Sequence, residues 1–179
     1  MGSEAAPSAS VRAVVAQLVG KPLSGTFRAV DMEMFGFGEQ VPFVDRFGRD
    51  RTTGEFRLHV QSVWRIVRDG RIVVGYEDMP FPPTGVPADG FDANEAARNR
   101  RDERMDAFLA STLAARTVVA VDASELGDIR LEFADGSRLE VFPSGEHPEI
   151  EHWRLLTPDG SHAVMSGEGM RFMPPGETP

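Results

Sequence analysis

Along Glu55 to Asp78, EFRLHVQSVWRIVRDGRIVVGYED, apolar and polar positions alternate with a period of two, the mark of a half-buried strand. Phe56, Leu58, Val60, Trp64 and Ile66 fall on one face, and Arg57, His59, Gln61, Val63 and Arg65 on the other. Arg68-Asp69-Gly70 reverses the run, with Gly70 supplying the positive φ that closes a type I turn with a bulge. The stretch predicts one long hairpin in which Val67 opposes Arg71, Ile66 opposes Ile72, Trp64 opposes Val74 and Ser62 opposes Tyr76. Its first face belongs to the core. The same turn chemistry recurs at Ala134-Asp135-Gly136 and Pro158-Asp159-Gly160. A three-residue loop at Asp135 sets Leu131 against Leu139, Ile129 against Val141, Glu132 against Arg138 and Arg130 against Glu140. A two-residue loop would oppose Leu131 to Glu140, so pairing chemistry selects the longer one. The turn at Asp159 sets Leu155 against Ala163 and Trp153 against Met165.

Other periods fill in the rest. From Ser10, the positions Val11, Val14, Val15, Leu18 and Val19 have helical spacing, stopped by Gly20 and Pro22. Gly25 to Phe37 alternates as a strand, with Val30, Met32 and Met34 on one face and Phe27, Asp31, Glu33 and Phe35 on the other, loosened at its end by Gly36 and Gly38. Gly38 to Gly54 reads as a connection with a short edge strand at Val41 to Val44. Pro80 to Asp89 carries four prolines and forms no regular structure. A second helix has two possible starts, Asp92 with Glu95 or Asn99 with Asp102. Met105, Phe108, Leu109, Thr112 and Leu113 are its buried stripe, and Arg98 to Arg104 is a solvated, self-paired stretch. Thr117 to Val121 is a further strand. The pattern predicts an α+β domain over residues 10–173, with two helices packed on one side of a bent antiparallel sheet built from three hairpins. Residues 1–9 read as disordered and 174–179 as a flexible tail.

Composition narrows the partners. The 179 residues suit one core, and a net charge of -9 disfavours nucleic acid and anionic membrane as nonspecific partners. Absence of cysteine excludes disulfides, thiolate metal sites and a cysteine nucleophile. No apolar run approaches the roughly 20 residues of a membrane span, and the expected location is the cytoplasm. No cofactor is expected, and the oligomeric state is open.

The segments GFGEQVPF, EFRLHVQSVWRI, NRRDER, DIRLEFADGSRLEVFP and EHWRLLTPDG resemble a family of small uncharacterised bacterial proteins built on a domain of unknown function. The resemblance covers Lys21 to about Met165. It implies a single-domain architecture and bacterial origin, and it transfers no catalytic residue.

The chemistry-bearing candidates are the ligand-binding set Arg57, His59, Arg65, Asp31 and Glu33. Asp31 and Glu33 would share one strand face about 7 Å apart beside His59, an arrangement able to hold a divalent ion or move a proton. The plainer alternative pairs these acids with Arg57 or Arg65 across the sheet, which together with Glu77 opposite Gln61 makes the row an ordinary solvated face. That reading is preferred, because a one-sided antiparallel sheet requires polar residues outward. The sharper alternative covers part of the row, leaving a pocket in which Arg57 and His59 bind an anionic group. Ser144-Gly145 and Ser166-Gly167 lack the nucleophile-elbow pattern, and Gly36-Phe37-Gly38 and Gly167-Glu168-Gly169 lack the strand-loop-helix context for phosphate. Trp153 packs inward, leaving His152 and Arg154 on the outer face, and His147 and His162 read as surface residues near turns. The leading expectation is a small non-catalytic binding or interaction protein of immunity or accessory type, with a protein partner meeting its acidic surface. The competing one is an enzyme or a small-ligand or metal binder using the Asp31, Glu33, Arg57 and His59 face.

Overall fold

The structure, a computed structural model, describes residues 10–44, 48–93 and 98–176. Eleven strands among the described residues pair antiparallel throughout, with two short α-helices. The strands are β1 (Leu23–Ala29), β2 (Met32–Val44), β3 (Asp50–Val60), β4 (Val63–Arg68), β5 (Arg71–Gly75), β6 (Val118–Ala123), β7 (Ile129–Phe133), β8 (Arg138–Phe142), β9 (Glu151–Leu156), β10 (His162–Ser166) and β11 (Gly169–Met173). They form not one bent sheet but two, in the orders β1-β2-β3-β9-β10-β11 and β5-β4-β8-β7-β6. The second sheet supplies the cover that the helices were expected to provide.

The alternating stripe explains how one run of sequence serves both sheets. Phe56, Leu58 and Val60 on β3 and Trp64 and Ile66 on β4 are all buried, as the period requires. Between them the chain bends at Gln61 and Ser62, whose backbone N–H groups both donate to the carbonyl of His152 at 2.9 and 3.1 Å. The strand thus changes sheets without changing which side faces inward. Phe35 of β2 meets Trp64 of β4 edge to face, 5.2 Å between ring centres at 88°. Buried residues of both sheets join in one cluster, with α1 (Val11–Val15) against β6 and α2 (Arg100–Leu109) against β5.

The three Asp-Gly reversals resolve into two kinds. At Asp135 and Asp159 the three-residue loop places Leu131 opposite Leu139, Ile129 opposite Val141, Leu155 opposite Ala163 and Trp153 opposite Met165. In each, the Asp carboxylate accepts from the N–H of the Ser that follows the Gly, Ser137 at 2.9 Å and Ser161 at 3.0 Å, a local bond that fixes the loop. The Asp69 turn has Arg71 in place of that Ser, and both Asp69 and Gly70 take positive φ (51° and 71°), so the loop has two residues and Arg68 opposes Arg71. Its register then shifts between Ile66 and Val67, bringing Ile66 opposite Val74 rather than Ile72. The correction keeps Val74 fully buried and leaves Ile72 exposed. The expected pairing of Ser62 with Tyr76, and of Gln61 with Glu77, is absent because Tyr76–Asp78 is a single 3-10 turn.

Three other expectations change. Gly25 to Phe37 is not one strand but the hairpin of β1 and β2, reversed at Val30 and Asp31. Gly38 to Gly54 is largely strand, because β2 and β3 continue side by side as far as Val44 and Asp50. The second helix starts at Asn99, which accepts from the N–H of Asp102 at 3.1 Å while the Asp102 carboxylate accepts from the N–H of Asn99. Glu95, the alternative partner for a start at Asp92, lies outside the described residues. The helix ends before Thr112 and Leu113, which are exposed.

Arg101, expected in a solvated stretch, is buried. It enters the core beside the Trp64 ring and forms an ion pair with Glu33, itself fully buried on the inward side of β2. Burial lowers the Arg101 pKa to about 10, leaving it charged at neutral pH. The pair fastens α2 to β2. Arg101→Met alone should cost about 3–5 kcal/mol in urea unfolding, because it strands a buried carboxylate, and adding Glu33→Met should recover most of that loss. A loss under about 1 kcal/mol for the single variant would contradict this role.

Candidate functional site

The outward side of the first sheet is fixed by the inward side. Since Phe56, Leu58 and Val60 point to the core, Arg57 and His59 point out. Across the strands, Gly25, Gly36, Arg57, Leu156 and His162 form one row, and Phe27, Met34, His59, Arg154 and Val164 the next. The first row has no side chain at two consecutive positions beside Arg57, which leaves a trough that the Gly54 backbone and Gln40 fill in part.

A bend closes the trough from the other side. The β2–β3 register jumps between Phe37 and Gln40, and the backbones at Gly36 and Gly54 approach so closely that a Cβ on Gly36 would lie 2.7 Å from the Gly54 nitrogen. A Cβ on Gly54 would lie 2.2 Å from the Phe37 nitrogen, so neither position admits a side chain as the backbone stands. Bulges bend the strands that carry them. Beyond this one, the β2–β3 arm brings Gln40, Phe43, Thr52 and Thr53 to the same groove as Phe27, Met34, Arg57 and His59. The cavity is about 390 Å³.

Its electrostatics are one-sided. No Asp or Glu lines the groove among the described residues. Arg57 is half-buried and makes no ion pair or hydrogen bond with a described residue, and burial lowers its pKa from the ordinary value. Burial, then the positive charges of Arg57 and Arg154 and the neighbouring His162, lower the His59 pKa to about 4. His59 is therefore neutral at pH 7, with one ring nitrogen to donate and one to accept. Next to it, Arg154 is held by Glu151, Nε to Oε1 at 3.0 Å and Nη2 to Oε2 at 2.5 Å, and it contacts His162 Nδ1 at 3.3 Å. His162 is likewise lowered, by burial first and then by Arg154 and Arg57.

Only two of the five expected site residues meet. Arg57 and His59 share the groove. Glu33 is in the core with Arg101, Asp31 is exposed in the β1–β2 turn, and Arg65 lies on the second sheet, where its Nε donates to Glu140 Oε2 at 2.6 Å. The metal or acid–base set built from Asp31, Glu33 and His59 is thus not assembled, and neither is the pairing of these acids with Arg57 or Arg65. The face is a concave groove rather than a flat solvated surface. No group of three or more metal-ligating side chains occurs among the described residues. Trp153 is fully buried, its Nε1 donating to the Gly127 carbonyl at 2.8 Å, and His152 is buried too, with its Nε2 3.0 Å from the Gly145 carbonyl oxygen. The glycines of the trough, the apolar walls Phe27, Met34 and Phe43, and the flanking pair Arg154 and His162 were not singled out as one site from sequence.

Comparison with known proteins matches residues 53–172, from most of β3 into β11, to a family of unknown function. The chain belongs to this family, DUF6188. The DUF6188 segment contains Arg57, His59, Arg154 and His162, while β1 and β2, the opposite side of the groove, precede it. No curated protein and no solved structure matches the chain. No helix among the described residues is long and apolar enough to cross a membrane.

The lowered His59 pKa carries a sign. Between about 4 and the ordinary histidine value the unfolded chain binds the extra proton, so this residue's contribution to stability is lost as pH falls through that window. In a proton NMR titration His59 should have a midpoint near 4. Arg57→Gln should raise that midpoint, since it removes a neighbouring positive charge. An unchanged or lower midpoint in the variant would show that the two side chains do not sense each other.

Proposed function

We propose that the protein is a small non-catalytic binding protein whose working surface is the groove between the outward face of β1–β3 and the bent β2–β3 arm, and that it takes a ligand bearing an anionic group. The observation that carries this reading is Arg57, a half-buried guanidinium that has no acidic partner among the described residues and lines a groove to which none of them brings a carboxylate. Desolvating a charge without pairing it costs free energy, and sites that do so are where a binding partner restores it. Neutral His59 adds a donor and an acceptor at the same level. Binding, rather than turnover, is favoured because the groove offers neither a carboxylate base nor a side chain with the setting of an activated nucleophile.

A fluorescent apolar anion, 8-anilinonaphthalene-1-sulfonate, tests the reading. The native protein should bind it, and Arg57→Gln should weaken binding by about tenfold or more, a charge-assisted contact being worth roughly 1.5–3 kcal/mol. Arg71→Gln, an exposed arginine on β5, should leave it unchanged. Equal binding by all three proteins would remove Arg57 from the account.

A further inference from the structure

The groove's chemistry narrows the ligand further, on the reading just given. We propose that the anionic group is the carboxylate of a small amphiphilic acid, whose hydrocarbon or aromatic body lies among Phe27, Met34 and Phe43. The charge count is the first ground. Arg57 is the cation available at the bottom of the groove; His59 is neutral at physiological pH, and Arg51, on the arm, is engaged in an interaction of its own. One guanidinium with its planar fork of donors matches one carboxylate.

The backbone gives the second ground. Phosphate sites draw on free N–H groups at helix starts or in loop nests. Here the floor is paired strand, with β2 hydrogen-bonded between β1 and β3, and no helix start is among the described residues that line the groove. The next cation along the sheet, Arg154, is already held at two oxygens by Glu151.

The floor and walls give the third. Gly25 and Gly36 lie side by side, with Gln40 and the Gly54 backbone standing where their side chains would be, and the cavity beside them is lined by Phe27, Met34 and Phe43. Phe27 and Phe43 are substantially exposed at 55% and 36%, and Met34 lies beside His59. These large apolar groups remain open to solvent where an apolar ligand would cover them. A cavity of about 390 Å³ suits a metabolite-sized molecule rather than a polymer.

Calorimetric titration of the full chain with three probes separates the outcomes. 2-Naphthoate should bind, and both inorganic phosphate and neutral 2-naphthalenemethanol should bind at least about tenfold more weakly, since each lacks one of the two matched features. Arg57→Gln should bring naphthoate down to the level of the neutral alcohol, and Phe27→Ser should weaken naphthoate without creating phosphate binding. Phosphate binding as tightly as naphthoate in an Arg57-dependent way would overturn the carboxylate assignment and leave the anion groove standing. Equal binding of naphthoate and the alcohol would overturn both. So would no binding of any probe by a protein whose unfolding curve is normal.

Discussion

The inward stripe of Phe56, Leu58, Val60, Trp64 and Ile66 is the constraint on which the rest of the molecule depends. Its burial is non-directional and large, each such side chain contributing roughly 1.5–3 kcal/mol, and a one-residue slip in register would turn the stripe outward. Because the stripe continues through the bend at Gln61 and Ser62, the same sequence run closes one sheet and opens the other, and the two sheets share one core. Whatever lies between the stripe positions is forced outward. Arg57 and His59 are therefore not on the surface by preference for water alone.

Outward residues become a site only where something walls them in. Glycine provides this: at Gly36 and Gly54 it lets two backbones approach so closely that the β2–β3 arm bends over the sheet beside Arg57. The acids that might have neutralised Arg57 are disposed of elsewhere. Glu33 is turned into the core and held by Arg101, Asp31 is out in a turn, and Glu151 is taken by Arg154. In a chain of net charge -9, one half-buried arginine without an acidic partner among the described residues is a local reversal of the overall field.

Much of the fold was legible in the sequence because its period was short. The two-residue alternation named the buried face of β3 and β4 correctly, and the Asp-Gly-Ser turns named two registers to the residue, since each is decided by neighbours within the loop. The misses have longer range. Nothing local in Gln61-Ser62 says that a strand will change sheets; that follows from the carbonyl of His152, far along the chain. Val30-Asp31 does not look like a turn, because Val30 is β-branched and yet adopts φ of 60°. Missing that reversal put Phe27 and Glu33 on one face and hid the β1–β2 pairing, without which the glycine row beside Arg57 could not be seen. Half of the candidate site, Arg57 and His59, was thus readable from alternation. The cavity that gives them meaning required the pairing of three strands.

The central claim is one of place: that an apolar anion binds in the groove over Arg57 and His59. Backbone amide shift mapping on the labelled protein during addition of 2-naphthoate tests it most directly. The account predicts saturable shifts concentrated at Gly25, Gly36, Thr53, Arg57 and His59, with the second sheet from Val118 to Phe142 unmoved. Shifts centred on the second sheet, or spread evenly over the surface, would contradict it.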